Sequence, residues 1–330
     1  MPFYTKSELL QVLDKLGITL DKNRGQCFLV DENFVNFIIG QLDDSQKNIE
    51  SLLEIGSGLG TLSDKLVQKA EKTVFIDNDK KIIQFLRDKL KKKYPDRSIQ
   101  LIDFKKEDQT KVETKINRPY YSKKNNVLLI NGDILEIPFP NVDKIIGNIP
   151  YQISAPLIFK LIHEWNFQNA ILMVQKEFAK RLTANVNSSD YSRVSAATNL
   201  FLDIEVIRNV NRNCFYPVPR VTSSLISIYP KNTLDQSSVE FQLKTDYLDF
   251  LRGVFPYKNK NLKNCIKYYF EREENASDRF PHLAKMIHNK KERKKYPIFR
   301  EKLRSLAPKT IFQVMKYGVQ GDEEDLLLFE

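Results

Sequence analysis

The stretch KIIGNIPYQIS, Lys144–Ser154, sets an amide, a carbonyl and two rings where a near-continuous apolar run stops. The side-chain oxygen of Asn148 and the main-chain carbonyl of Ile149 can both accept hydrogen bonds from a single amino group. Pro150 has no N–H to donate and holds the turn rigid. Tyr151 can lie flat against a planar base. The exocyclic nitrogen of adenine is a weak nucleophile because its lone pair delocalises into the ring. Two acceptors on its hydrogens favour a pyramidal nitrogen and free that lone pair, without a strong general base. A turn of this composition also serves plain structure, so its neighbours decide.

The glycine cluster LLEIGSGLGTLSDKL, Leu52–Leu66, is the first neighbour. Glu54, Gly56, Gly58 and Gly60 stand where a strand feeds a helix. Glycines there allow a tight turn and a close backbone approach to a ligand, and the helix N-terminus behind them favours a negative group. A P-loop is disfavoured because its Lys-Ser/Thr pair is missing. At the next strand end, in FIDNDK, Asp77 is placed to accept from ribose hydroxyls, with Asn78 beside it and Asp79 as the fallback. At the third, INGDIL puts Asp133 after a glycine, either to accept from an adenine amino group or to cap its own turn. Open α/β sheets bind ligands along that edge. A small adenosine-containing cofactor fits it, and NAD, a flavin and S-adenosylmethionine all remain open on geometry alone.

The elements that must position these groups read as alternating strands and helices. SLLEI, KTVFIDND, NNVLLINGD, VDKIIGN and QNAILMVQ are short apolar runs, mostly with helix-length patterns between them. That alternation predicts a mostly parallel sheet covered on both faces. IEVIRNV and SSLISIYP, separated by the proline-rich CFYPVPR, predict an antiparallel pair at one edge. Residues 8–16 and 31–42 read as amphipathic helices. The tract 92–125 is polar and lysine-rich and reads as an insertion, with a small strand of its own at SIQLIDF. From 234 onward strand signals vanish and basic helices follow, which predicts domains at 1–233 and 234–330.

Composition narrows the function classes. Across 330 residues, 52 Lys and Arg against 42 Asp and Glu leave a net charge of +10, which suits a polyanionic partner. Lys176, Lys180 and Arg181 in KEFAKRL and the run NKKERKKYPIFREKLR supply groups able to grip phosphates without reading sequence. The three cysteines, Cys27, Cys214 and Cys265, lie far apart with no C-x-x-C, which argues against a disulfide framework or a structural zinc. No metal site is expected. No apolar run reaches membrane-span length, and the N-terminus lacks a secretory apolar region. The cytoplasm is the expected location. An NAD-dependent oxidoreductase needs a proton-transfer residue, and the sheet region offers only His163, on an expected helix.

The strings GQCFLVD, EIGSGLGTLS, FIDND, NGDIL, GNIPYQIS, VQKEFAKRL and CFYPVPRVTSS occur in this order across roughly residues 20–230. In types and order they resemble the ribosomal RNA adenine N6,N6-dimethyltransferase family. The resemblance implies a class I Rossmann-like methyltransferase fold, α/β with a mostly parallel seven-stranded sheet whose last strand is antiparallel, plus a small helical C-terminal domain that contacts RNA. It implies S-adenosylmethionine as cofactor and two adjacent adenosines near the 3′ end of small-subunit ribosomal RNA as substrate. A pre-ribosomal small subunit is the expected partner, and a monomer the expected state. By the same resemblance Gln26 and Leu29 close over the cofactor. Glu54, Gly56, Gly58 and Gly60 bracket its methionine part. Asp77, with Asn78, holds the ribose, while Asp133 and Ile134 take the adenine. Asn148 touches both cofactor and target. Asn148 through Tyr151 receive the base, and Phe215 stacks on its other face, with Pro217 and Pro219 stiffening the loop. Two positions depart from the pattern. Cys27 stands where asparagine is usual, and Asp77 where glutamate is usual. The alternatives are the related Erm group, acting on one adenosine of large-subunit RNA, and a non-catalytic ribosome-assembly or RNA-binding factor.

Overall fold

The computed structural model describes residues 5–18, 27–42, 49–104, 126–164, 167–231 and 238–327. Gln26 and the 105–125 part of the lysine-rich tract lie outside the described residues. Contacts divide the chain into two units. One comprises Met1–Ala179 and Ile204–Pro230, the other Lys180–Asp203 and Lys231–Glu330.

The first unit is built on a sheet. Its strands in chain order are β2 (Ile49–Ile55), β3 (Ala70–Asp77), β4 (Ser98–Asp103), β5 (Asn126–Asn131), β6 (Val142–Asn148), β7 (Phe167–Gln175), β8 (Leu202–Val210) and β10 (Ser223–Pro230). They lie in the order β4-β5-β3-β2-β6-β7-β10-β8. The pairs from β4 through β7 are parallel, and β10 runs antiparallel to β7. Two short strands, β1 (Phe28–Leu29) and β9 (Phe215–Tyr216), pair antiparallel in a separate two-stranded sheet. Helices α1 (Lys6–Lys15), α2 (Glu32–Gly40), α3 (Ser63–Lys69), α4 (Lys80–Lys93) and α5 (Ser154–Glu164) fall between the strands or ahead of them. The central strands are apolar nearly throughout because both faces are covered. In β5, for example, Val127 through Ile130 are all buried.

The expected α/β architecture is present with one strand more than the seven expected. The additional strand is β4, the small strand expected at SIQLIDF inside the lysine-rich tract, in register with β5 from Ser98↔Asn126 to Asp103↔Asn131. As an edge strand it buries only Ile99 fully.

Helix starts follow local chemistry. The Asp79 side chain accepts from the backbone N–H groups of Lys81 and Ile82 and so caps α4. Asp31 does the same for α2 through Phe34 N–H at 2.9 Å. In α4, Ile82, Ile83, Leu86 and Leu90 are buried at helical spacing while the lysines of its last turn face water.

The second unit is helical, with α6 (Arg193–Phe201), α7 (Ser238–Val254), α8 (Leu262–Arg272), α9 (Pro281–His288) and α10 (Pro308–Gln320) as its longer helices. Its core stacks aromatic rings edge to face, Phe201 on Tyr247 at 5.7 Å and Phe250 on Phe280 at 5.4 Å. The single boundary expected at 233/234 therefore needs correcting. Residues 180–203 belong with this unit, because α6 puts Phe201 into that core and the buried Tyr191 donates its hydroxyl to the Leu306 carbonyl at 3.1 Å. Among the described residues no helix is long and apolar enough to cross a membrane.

Candidate active site

The strand order reverses between β2 and β6, and the ends of these strands open a crevice there. A cavity of about 410 Å³ occupies it. Leu29, Glu54, Gly56, Gly58, Asp77, Asn78, Asp133, Ile134 and the whole Asn148–Tyr151 turn line this single cavity.

Glu54 is the penultimate residue of β2, opposite Ile146 of β6, and is 2% exposed. The Ser63 hydroxyl donates to its Oε2 at 2.5 Å. Burial raises the Glu54 carboxyl from an ordinary 4.5 to about 8, the bond from Ser63 opposes the rise, and the nearby charge of Asp77 adds to it. The glycine loop that follows is held from the neighbouring strand: the N–H groups of Gly56 and Ser57 donate to the Ile76 carbonyl at 2.9 and 3.3 Å. Gly56, Gly58 and Gly60 all have positive φ, where a side chain would be strained. Gly60 is not among the cavity-lining residues. A Cβ there would overlap Leu86 of α4, so this glycine serves helix packing behind the loop.

Asp77 closes β3. Its Oδ2 accepts from Gly58 N–H at 2.8 Å and its Oδ1 from Asp79 N–H at 2.9 Å. Burial pushes its carboxyl from 3.8 to about 6, against those backbone bonds. Asp77 thus both lines the cavity and fixes the glycine loop, while Asp79 is occupied as a helix cap. Asp133 is exposed, and its Oδ1 accepts from Leu135 N–H at 2.9 Å, so one oxygen already serves its own turn.

The amide nitrogen of Asn148 donates to the Cys27 carbonyl at 2.7 Å. That bond assigns the amide orientation and leaves the side-chain oxygen as the free acceptor face. Ile149 N–H donates to the Met173 carbonyl of β7 at 3.3 Å, which ties the turn to the sheet. The Tyr151 hydroxyl lies 2.8 Å from the Ser223 hydroxyl.

Phe215, like Gly60, does not line the cavity. It is 2% exposed and belongs to the main core cluster. Its backbone pairs with Leu29, so it anchors the β1–β9 ribbon beside the site. His163 lies on α5 and also does not line the cavity.

The ribosomal RNA adenine dimethylase family model matches residues 18–304. The chain belongs to this family. It is 33% identical over 260 residues to a probable ribosomal RNA small subunit methyltransferase A from Methanosphaera stadtmanae, across 79% of this chain and 82% of that protein. The crystal structure of a dimethyladenosine transferase from Plasmodium falciparum superposes with a TM-score of 0.65 at 27% identity, covering 89% of this chain and 98% of that one. The 23S rRNA methyltransferase ErmE shares the fold, with a TM-score of 0.52 at 18% identity over 88% of this chain and 99% of that one.

Cys27 makes its link to Asn148 through its main-chain carbonyl, which an exchange of its side chain does not remove. Burial raises its thiol above the ordinary value, which disfavours the thiolate. The sequence reading missed Ser63, Ser57, Phe28 and Ser223. Ser63 lies nine residues after Glu54 across an unpredictable loop, and Ser223 comes from a distant strand. A signal for Ser57 was present, since it sits between two of the glycines. Its hydroxyl is buried and without a hydrogen-bond partner among the described residues.

Proposed function

We propose that this chain transfers methyl groups from S-adenosylmethionine to N6 of two adjacent adenosines near the 3′ end of small-subunit ribosomal RNA, twice on each. The observation that carries the reading is the Asn148 amide, with its nitrogen held by the Cys27 carbonyl at the end of β6 and its oxygen left to accept. The residues of the cavity suit the cofactor. Two carboxylates whose ionisation is suppressed by burial, Glu54 and Asp77, gain from a cationic ligand, and the orphaned Ser57 hydroxyl gains a partner. Bound there, the cofactor supplies a methyl group on a positively charged sulfur.

The protein's part is placement. Asn148 Oδ1 and the Ile149 carbonyl accept the two N6 hydrogens and draw the nitrogen toward a tetrahedral shape. Pro150 and Tyr151 form a wall that tolerates a methyl without stranding a polar group. After one transfer N6 has released one hydrogen as a proton to water, and the hydrogen that remains is held by one of the two acceptors while the other faces the methyl. A base must leave its helix to enter, which is cheapest in a loop or at a helix end.

The test is mass spectrometry of ribosomal RNA after incubation of the purified protein with cofactor and unmethylated small subunits. Monomethyladenosine is expected to rise and then decline as dimethyladenosine accumulates at two neighbouring positions. A stable monomethyl end point, or modification confined to one large-subunit adenosine, overturns the reading.

A further inference from the structure

Ser223 opens β10, opposite Gln175 of β7, directly after the loop that carries the F-x-P-x-P string. It is 0% exposed. The Lys176 N–H donates to the Thr222 carbonyl at 2.9 Å and fixes the start of the strand. The two serines of the string then part, as neighbours in a strand must. The Ser224 hydroxyl donates to Asn209 Oδ1 of β8 at 2.9 Å, while the Ser223 hydroxyl meets the Tyr151 hydroxyl at 2.8 Å.

Tyr151 begins a single 3-10 turn, Tyr151–Ile153, whose start has no side-chain cap. The ring is half-buried and lines the cavity. A hydrogen bond at the far end of the ring restricts its orientation. Here that end meets a hydroxyl on a strand paired through six residues with β7. Phe215, the aromatic of the same string, is sealed in the core cluster. Ser223 instead meets a cavity-lining side chain, Tyr151.

We propose that Ser223 is a positioning residue for methyl transfer: its hydrogen bond to the Tyr151 hydroxyl holds the tyrosine ring in one orientation as the wall against which the target base lies. This rests on the adenine-methylation reading above. Ser223 touches neither base nor cofactor and acts only through Tyr151.

The experiment uses the full chain as wild type, Ser223→Ala, Tyr151→Phe and the double variant, with unmethylated small subunits as substrate. Ser223→Ala is expected to lower kcat about tenfold, the scale of one buried hydrogen bond, with cofactor Kd and Tm near wild type. In the Tyr151→Phe background the same change should cost less than about twofold, because the two residues act as a pair. NMR of the protein labelled with 13C-tyrosine supplies a readout independent of activity. The Tyr151 ring signal, assigned by its loss in Tyr151→Phe, should shift or broaden in Ser223→Ala. A wild type that transfers no methyl overturns the functional reading, and the ring signal still decides whether Ser223 holds Tyr151. An unchanged ring signal overturns the proposal. So does a tenfold loss that persists in the Phe background, or a loss of activity that follows a fall in Tm.

Discussion

Glu54 holds its proton to about pH 8 in the ligand-free protein because burial disfavours the charge. A cationic ligand engages the ionised form, so binding below pH 8 must first release that proton. Cofactor affinity is therefore expected to climb as pH rises toward 8 and to level off above it. Titration calorimetry at pH 6.5, 7.5 and 8.5, in buffers of different ionisation heat, should show proton release that is nearly complete at the lowest value and shrinks toward the highest. Glu54→Gln should flatten the profile. The sign for stability runs the other way. Between an ordinary 4.5 and about 8 the folded chain keeps a proton that the unfolded chain has lost, so ligand-free Tm should fall as pH rises through that window. Asn148→Ala should leave Tm near wild type and lower the transfer rate on the order of 10²-fold, the scale of one lost transition-state hydrogen bond. Cofactor affinity collapsing in parallel would place Asn148 in the ligand's own support. Much of this chemistry was legible in the sequence, because strand-end carboxylates and the N-I-P-Y turn are local patterns. What was not legible is how each group is held. The partners Ser63, Cys27 and Ser223 come from other elements, and no spacing rule predicts a hydrogen bond across the 121 residues separating Asn148 from Cys27.

The elements divide the glycines by task. Gly60 combines a φ of +81° with a Cβ position already filled by Leu86. Gly60→Ala is therefore expected to destabilise by about 1–3 kcal/mol, from backbone strain and overpacking together. Gly40, the last residue of α2, has nothing within 4 Å of an added Cβ. Gly40→Ala should instead stabilise by about 0.5–1 kcal/mol, through a less costly loss of chain entropy. Chemical denaturation of both variants checks the contrast, and equal effects would overturn both the strain and the overlap assigned to Gly60. The same scale explains where the fold departs from its sequence pattern. Buried parallel strands such as β5 announce themselves by unbroken apolar runs, whereas β4 at the edge alternates weakly. Phe215 is placed by its partners. The resemblance implies a ring stacked on the target base, and in the fold its backbone pairs with Leu29 and the residue is 2% exposed.

For the molecule as a whole, the net charge of +10 has a measurable consequence if small-subunit RNA is the partner. Lysines and arginines that neutralise phosphates release condensed counterions, so affinity falls linearly with salt on logarithmic axes. The helical unit exposes Lys290, Lys291, Lys294 and Lys295 within one short run. Exposed groups of this charge can meet backbone phosphates, which fixes position without reading sequence. Reversing Lys294 and Lys295 to Glu should weaken small-subunit binding and flatten its salt dependence, each lost phosphate contact lowering the slope by roughly 0.7 to 0.9. Cofactor affinity should not change, since neither residue lines the cavity. Filter binding across a salt series, with calorimetry for the cofactor, separates the two effects. A slope equal to wild type would leave this run as solvated surface and shift the phosphate contacts to other basic groups, with Lys176 and Arg181 the next to reverse.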